Sequence, residues 1–245
     1  EDGKAVTKFL KWLKSAKNIG EIDAANKLLE FRKKSKNFVC PSFESISAYG
    51  KNGAIIHYKP KKNNKIGKES LYLIDSGGQY YTGTTDVTRT ICLGKPTKEL
   101  IKNYTLVLKG HIALASIVFP VGTTGSQLDV LARQFLWKHG LDYKHGTGHG
   151  VGHFLSVHEG PQRIGSAHSS VPLEVGMILS NEPGYYKVGH YGIRLENLVE
   201  VVRSKHEGFL EFRTLTKVPF ESKLIEKKML SKEELSWMTE YELSC

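Results

Sequence analysis

Four carboxylates occupy places in the sequence where an acidic side chain needs a cation nearby. Asp75 and Glu182 each follow an apolar, strand-like run, and burial of an unpaired carboxylate there is strongly unfavourable. Asp86 lies eleven residues after Asp75, and Glu196 lies fourteen residues after Glu182. An Arg or Lys partner could satisfy any one of them. Four carboxylates at mirrored positions favour a shared metal site instead.

A glycine-rich segment at 145–153 supplies a nitrogen ligand. Its glycines let the backbone and an imidazole approach a common site closely. His145 and His149 have the spacing of the helical zinc motif H-E-x-x-H, but four glycines within seven residues disfavour a helix, and the glutamate is absent. A phosphate-binding loop is excluded because the following Lys and Ser/Thr are missing. We therefore expect a loop or the end of a strand.

Together these residues form an oxygen-rich ligand set of four carboxylates and one imidazole. Such a set suits Mn²⁺, Mg²⁺ or Co²⁺ better than the sulfur and nitrogen sites of structural zinc. Five ligands are more than one catalytic ion with open positions needs, and two ions about 3.5 to 4 Å apart are the usual arrangement for hydrolysis. The sequence therefore predicts a two-metal hydrolytic centre.

Hydrophobic periodicity predicts the elements that must position these ligands. Helices are predicted at the amino terminus, over 22–31, over 99–119, from an N-cap at Ser126 to Gly140, and from a capping box at Ser231; strand-like runs lie at 54–58, 71–75, 87–92, 177–181 and 193–202.

The order of these elements is similar in the two halves of the chain. Each half contains a strand, a turn and a second strand, with two of the carboxylates, and helices lie between the halves. No short-period repeat is visible, so the symmetry is one of architecture. The length, 245 residues, is near the upper limit for one hydrophobic core. We predict an α+β fold in one domain, 1–245, with pseudo-symmetric halves of antiparallel-rich sheet flanked by helices.

The composition excludes several other classes of protein. The formal charge is +10, but the lysines are scattered and no aromatic residues alternate with them, which favours a solvated surface over a nucleic-acid site. No apolar run approaches the roughly 20 residues of a membrane span. Cys40, Cys92 and Cys245 are odd in number and far apart, which indicates a reducing compartment and no disulfide framework.

Several motifs, in this order, carry a resemblance to a known family. They are 52–58 (NGAIIHY), 73–80 (LIDSGGQY), 83–90 (GTTDVTRT), 145–152 (HGTGHGVG), 180–186 (SNEPGYY) and 192–197 (GIRLEN). The chain resembles the pita-bread metallopeptidases over nearly its whole length, and within them the cytosolic aminopeptidase P group. The resemblance implies a cytoplasmic hydrolase that releases the N-terminal residue from peptides with proline in the second position.

The resemblance also implies a ligand set for two divalent ions. Asp75, Asp86, His149, Glu182 and Glu196 would be the ligands, with Asp86 and Glu196 bridging both ions. Mn²⁺ is expected, with Co²⁺ or Zn²⁺ as alternatives. Glu182 would also move a proton from the attacking water to the departing proline nitrogen.

Other residues acquire expected roles in the same way. His158, nine residues after the histidine ligand, would stabilise the reacting carbonyl oxygen. His57 and His145 would line the pocket for the substrate proline. Arg194 and Tyr186 would lie beside the ligands, with Arg194 and His145 supporting catalysis and Tyr186 helping to bind substrate.

Two other functions stay open. A prolidase would share the fold and metals but prefer Xaa-Pro dipeptides, whereas a methionine aminopeptidase fits the flanking motifs poorly. A non-catalytic pita-bread module that binds peptides, histones or nucleic acid is the alternative from a different class. Such modules typically lose metal ligands, and this chain keeps all five. We therefore expect peptide substrates, possible homodimers, and neither nucleic-acid nor membrane binding.

The boundaries of the chain also carry an expectation. The sequence has no initiator Met and begins almost inside a predicted helix. Compared with the family, it also ends early. We expect the whole protein to carry further N-terminal domains.

Overall fold

The structure is a computed structural model that describes residues 1–245. Its helices are α1 (Asp2–Ser15), α2 (Glu21–Arg32), α3 (Lys98–Ala115), α4 (Gly125–Trp137) and α5 (Lys232–Ser244), with short 3₁₀ turns at Gly50–Ala54, Ser222–Leu224 and Lys227–Met229. None of these helices combines the length and apolar character required to cross a bilayer.

Fourteen strands form small sheets in which every pairing is antiparallel. The strands are β1 (Phe38–Pro41), β2 (Ile46–Tyr49), β3 (Leu71–Ser76), β4 (Gly78–Tyr80), β5 (Gly83–Thr84), β6 (Val87–Cys92), β7 (Val118–Pro120), β8 (Gly148–His149), β9 (Arg163–Ile164), β10 (Ile178–Asn181), β11 (Gly184–Lys187), β12 (Tyr191–Arg194), β13 (Asn197–Arg203) and β14 (Phe209–Thr214). This mixture of helices and antiparallel sheets confirms the predicted α+β class.

Two sheets form the frame of the molecule. One has the order β2-β3-β6, and the other has the order β10-β13-β14-β7. They meet where the backbone N–H of Glu196 donates to the carbonyl of Thr88 at 3.1 Å. The hydroxyl of Thr90 adds a 3.1 Å hydrogen bond to the carbonyl of Arg194. The ends of strands from both halves therefore come together at one place.

Three hydrophobic clusters hold the helices on these sheets. The amphipathic face of α1, with Phe9 and Leu13 fully buried, packs with α2 against β3 and β6. Helix α3 forms the centre of the largest cluster, and α4 packs on the sheet of the second half. Burying such a side chain contributes roughly 1.5 to 3 kcal/mol relative to leaving it exposed, so the helical faces fix the sheets in place.

Most predicted elements are present, and four of them differ in type or extent from the prediction. The run 54–58 is not a strand: a 3₁₀ turn ends at Ala54, and an irregular segment follows. Helix α3 ends at Ala115, because the chain beyond it pairs as β7 with β14. The run 193–202 is two strands, β12 and β13, since residues 195 and 196 leave the ladder.

Helix α4 begins two residues before its predicted start. Its N-cap is Thr124, not Ser126. The backbone N–H of Thr124 donates to the side-chain carbonyl of Gln127 at 2.8 Å, which is one half of a capping box. Helix α5 begins as predicted, with Ser231 accepting from the backbone N–H of Glu234 at 3.2 Å.

Candidate metal centre

All five predicted metal ligands line one cavity of about 540 Å³. Asp75 belongs to β3 and Asp86 directly precedes β6, so the first half supplies two carboxylates. Glu182 follows β10 and Glu196 precedes β13 in the second half. His149 comes from β8 between them. Oxygen or nitrogen atoms of Asp86, His149 and Glu196 lie within 4.8 Å of one another, close enough to share an ion.

The glycine-rich segment is held rigidly beside the sheet of the second half. It contains no helix, as predicted, and its central part is β8. A Cβ atom on Gly148 would lie 2.0 Å from the carbonyl oxygen of Ser180, so only glycine permits this approach. Arg133 of α4 donates to the carbonyl of His145 at 2.8 Å and to that of Tyr143 at 2.6 Å. These contacts place His149 against the carboxylates.

The imidazole of His149 is oriented for metal binding. Its Nδ1 lies 2.9 Å from the carbonyl of Gly150, which accepts only if Nδ1 carries the proton. Nε2 therefore faces the carboxylates, at 3.4 Å from Asp86 Oδ2 and 3.4 Å from Glu182 Oε1. A hydrogen bond on the second ring nitrogen is the usual device that fixes a metal-binding histidine.

Two carboxylate oxygens in the cavity have no protein partner. Asp75 Oδ1 and Asp86 Oδ1 are buried without a hydrogen bond. The second oxygen of Asp75 accepts from Arg194 Nη2 at 2.6 Å, so the predicted alternative of an arginine partner holds for this residue. No Arg or Lys forms an ion pair with Asp86, Glu182 or Glu196. The buried carboxylates therefore outnumber the Arg and Lys side chains that pair with them, and this donor set fits divalent ions.

The electrostatics of the cluster lead to the same conclusion. Burial raises the pKa of Glu196 well above its ordinary value, and the neighbouring charge of Asp86 raises it further. Burial likewise raises the pKa of Asp86, and it raises that of Glu182 to about 7. Burial opposes protonation of His149, but the hydrogen bond to Asp86 and the charge of Glu182 prevail and raise its pKa to about 9. In the metal-free chain, bound protons therefore offset part of the negative charge that metal ions would otherwise neutralise.

Neutral hydrogen-bond donors orient two of the carboxylates. Thr88 Oγ1 donates to Glu196 Oε2 at 2.7 Å. Ser180 Oγ donates to Glu182 Oε1 at 3.3 Å and accepts from the backbone N–H of His149 at 3.0 Å. Sequence reasoning did not identify Thr88 or Ser180 as site residues, although both lie inside the motifs at 83–90 and 180–186.

Arg194, Tyr186 and His145 form a hydrogen-bonded chain. Arg194 and His145 line the cavity, but Tyr186, which is predicted to help bind substrate, does not. Arg194 Nη1 donates to the Tyr186 hydroxyl at 2.8 Å, and that hydroxyl lies 2.8 Å from His145 Nε2. His145 Nδ1 lies 2.7 Å from the carbonyl of Gly146, so Nδ1 carries the proton and Nε2 accepts. Burial, with the charge of Arg194, lowers the pKa of His145 to about 4. The imidazole is therefore neutral, with both nitrogens engaged.

The two remaining predicted histidines lie on the open walls of the cavity. His57 and His158 are both exposed and both line it. The ring of His158 lies 4.1 Å from that of His149, measured between centroids. Burial and the positive charge of His149 lower the pKa of His158. Apolar side chains, including Phe43 and Val157, complete the walls of the cavity. The sequence around these two residues does not predict that they line it.

Known proteins share both the sequence and the fold of this chain. The sequence model of metallopeptidase family M24 matches residues 2–203, and that of the C-terminal region of peptidase M24 matches residues 208–245. A probable Xaa-Pro aminopeptidase P of Sordaria macrospora is 53% identical over 253 residues, which cover 97% of this chain and 41% of that protein. Its counterpart in Neurospora crassa is 52% identical, with 97% and 37% covered.

Two solved structures have the same architecture. The X-prolyl aminopeptidase of Caenorhabditis elegans, described as a cytosolic enzyme with a di-nuclear active site, has a TM-score of 0.95 and 45% identity, covering 98% of this chain and 41% of that one. The Xaa-Pro dipeptidase of Bacillus anthracis has a TM-score of 0.78 and 30% identity, covering 90% and 58%.

These matches establish the family and the fold of the chain, although they extend over only part of each relative. The chain spans about two fifths of the curated relatives it matches, 41% and 37% in the two examples above. The match at 2–203 covers most of the chain, and the predicted pita-bread fold is confirmed by its structural neighbours. The chain belongs to metallopeptidase family M24.

Proposed function

We propose that the protein is a dinuclear, metal-dependent aminopeptidase that releases the N-terminal residue from peptides with proline in the second position. The observation that carries the proposal is the convergence of Asp75, Asp86, His149, Glu182 and Glu196 on one cavity, with two carboxylate oxygens left unpartnered. The X-prolyl aminopeptidase of C. elegans, which is described as having a di-nuclear active site, supports it through 45% identity over 98% of this chain.

The five converging residues would hold the ions. Asp86 and Glu196 would bridge them, which agrees with the position of both near His149. Bound divalent ions would lower the pKa of a water molecule to near neutrality and polarise the scissile carbonyl. Mn²⁺ is the metal we propose, with Co²⁺ or Zn²⁺ as alternatives, because the ligand set is rich in carboxylates.

Glu182 is placed to move a proton during the reaction. Its carboxylate lines the cavity beside His149, and burial brings its pKa to about 7 in the metal-free chain. A carboxylate there can accept a proton from the attacking water and deliver it to the departing proline nitrogen. Ser180 holds Oε1 in place through its hydroxyl.

The histidines around the cavity divide into two groups. His158 has no hydrogen bond to the protein, so its ring is free to donate to the developing oxyanion of the substrate. His145 has both nitrogens engaged, so we assign it to the shape of the proline pocket, with Arg194 and Tyr186 holding it. His57, which also lines the cavity, completes that pocket.

The cellular setting and partners are part of the proposal. All three cysteines are free, which agrees with a reducing compartment, and the C. elegans enzyme is described as cytosolic. We therefore propose a cytoplasmic peptidase, able to form a homodimer, whose partners are peptides and neither nucleic acid nor membrane. The domain organisation, one catalytic domain at 1–245 preceded by N-terminal domains in the whole protein, agrees with the fraction of the relatives that it spans.

Prolidase is the competing function, because an Xaa-Pro dipeptidase shares the fold at 30% identity. The experiment compares hydrolysis of Xaa-Pro-Xaa tripeptides, Xaa-Pro dipeptides and Xaa-Ala-Xaa tripeptides, each with and without Mn²⁺. We expect Mn²⁺-dependent cleavage of the proline tripeptide and little cleavage of the alanine analogue. Faster turnover of the dipeptide would establish prolidase, and binding of ions without hydrolysis would establish a non-catalytic module. Asp86→Ala serves as the inactive control.

A further inference from the structure

A carboxylate remote from the metal ligands is buried without a cation. Glu21, the first residue of α2, has 0% of its surface exposed. Its Oε1 accepts from the backbone N–H of Tyr49 at 2.7 Å and from Asn52 Nδ2 at 2.9 Å. Its Oε2 accepts from the hydroxyl of Tyr58 at 2.7 Å and from Asn64 Nδ2 at 3.1 Å. Four donors thus replace the missing counterion.

Three of these four donors belong to one irregular segment, residues 50–65. The backbone reinforces the attachment, because the N–H of Glu21 donates to the carbonyl of Asn64 at 2.9 Å. A β-bridge joins Gly20 to Lys65. At the start of the segment, Gly53 packs against Gly192 of β12. Between those two ends, the ring of Tyr58 packs against Ile46, Ala48 and Leu73, and the carboxylate of Glu21 fixes its hydroxyl.

The middle of this segment is a wall of the cavity that contains the metal ligands. Residues 56–60 line the cavity without interruption. His57 is exposed to the cavity, and the next residue, Tyr58, is buried with 6% of its surface exposed. Burial and the hydrogen bond to Glu21 raise the pKa of Tyr58 to about 12, so its hydroxyl remains a donor at all physiological pH values.

The chemistry of the contact explains why the group is a carboxylate. An ionised carboxylate only accepts hydrogen bonds, and its two oxygens match two pairs of donors. Hydrogen bonds to an ionised group are roughly twice as strong as neutral ones. The first turn of a helix also favours a negative charge. Segment 50–65 forms no strand over 55–63, so no backbone ladder attaches this part of it. Hydrogen bonds to the Glu21 carboxylate supply an attachment instead.

We propose that Glu21 is a positioning residue for substrate binding: acting through Tyr58, it holds the wall that carries His57 at a fixed distance from the metal ligands. The proposal rests on the proposed function, in which His57 contacts the substrate proline. Glu21 itself does not reach the cavity, so its effect passes entirely through the segment.

The test compares two tyrosines that make the same contact at different places. Tyr58→Phe removes the hydroxyl that donates to Glu21. Tyr80→Phe is the matched control, because Tyr80 is also buried and donates to a buried carboxylate, Asp2, at 2.7 Å, but it does not line the cavity. Both changes keep the aromatic ring, so both variants should fold.

The first measurement is hydrogen–deuterium exchange, which needs neither metal nor substrate. Tyr58→Phe should accelerate exchange over 50–65 by about ten- to a hundredfold, the effect of losing one hydrogen bond to an ionised group, and leave 145–149 unchanged. Tyr80→Phe should leave 50–65 unchanged. Equal exchange over 50–65 in both variants and in the unmodified protein would overturn the proposal.

The second measurement separates positioning from general stability. With an Xaa-Pro-Xaa peptide and bound Mn²⁺, Tyr58→Phe should raise KM by roughly tenfold and change kcat by less than about threefold, because a displaced wall weakens ground-state binding. Glu21→Gln, which turns one acceptor into a donor, should show the same pattern more strongly. A normal KM despite faster exchange would also overturn the proposal. If the unmodified protein cleaved no proline peptide, the proposed function would fail, while the exchange data would still decide whether Glu21 holds the wall.

Discussion

Metal binding should displace protons from the cluster, and the structure indicates how many. His149 has a pKa of about 9 in the metal-free chain, so it is almost fully protonated at pH 7. Burial and the charge of Asp86 raise the pKa of Glu196 well above its ordinary value, so any proton that it holds adds to this number. Glu182, with a pKa of about 7, is half protonated. All three must lose their protons to become ligands.

The expected magnitude comes from these occupancies. Filling the centre at pH 7 should release at least about one and a half protons, about one from His149 and half from Glu182, and the apparent metal affinity should therefore rise at least roughly thirtyfold per pH unit near pH 7. The affinity must rise with pH, because protons and metal compete for the same atoms. The metal affinity rises with pH until His149 loses its proton near pH 9, and it is constant above that pH.

Isothermal titration calorimetry with Mn²⁺ in two buffers of different ionisation enthalpy measures the proton count directly. The control is Asp2→Asn. Asp2 is buried too, but Arg32 overcomes the effect of burial and lowers its pKa, so it is ionised at pH 7 and releases no proton. The control should release as many protons as the unmodified chain. Release of less than about one proton, or a metal affinity that is constant between pH 6 and 8, would refute the proposed ligand set.

Three further predictions concern individual side chains of the site. Asp86→Ala or Glu196→Ala should lose at least one of two bound ions, measured by metal analysis, because the remaining carboxylates cannot span both. His158→Ala should keep both ions and lower kcat by roughly 10² to 10³-fold with little change in KM; full activity would show a structural role. Tyr186→Phe leaves an N–H of Arg194 without its partner and should cost about 1 to 3 kcal/mol of unfolding free energy in urea, with metal content unchanged.

Much of the candidate site could be predicted from the sequence, because the ligands lie at strand ends. A carboxylate that follows an apolar run, such as Asp75, can be recognised from its neighbours in the chain as a group that would be costly to desolvate. The sequence could not show how each charge is balanced. Asp75 has an arginine partner, Arg194, whereas Glu196 has only the hydroxyl of Thr88. Those pairings depend on residues about a hundred positions apart.

The errors in the fold have specific physical causes. The run 54–58 has the composition of a strand, but Gly53 lies against Gly192, where an added Cβ on Gly192 would come within 1.8 Å of the Gly53 carbonyl. That contact diverts the chain before a ladder can form. The start of α4 was misplaced because Ser126 and Thr124 both carry hydroxyls, although Gln127, three residues after Thr124, gave the capping-box signal.

The break between β12 and β13 is also where a proposed metal ligand, Glu196, lies. The sequence over 193–202 reads as one continuous strand, and in that form Glu196 would be locked into the ladder. Instead its backbone N–H donates to Thr88 of the other half, and its carboxylate accepts from the hydroxyl of the same threonine. One residue of β6 therefore fixes both the backbone and the side chain of a proposed bridging ligand. Because the ligand is held in place in the metal-free chain, little conformational entropy remains to be lost when the ions bind. The break between β12 and β13, which the sequence pattern did not predict, thus brings carboxylates from both halves to one centre.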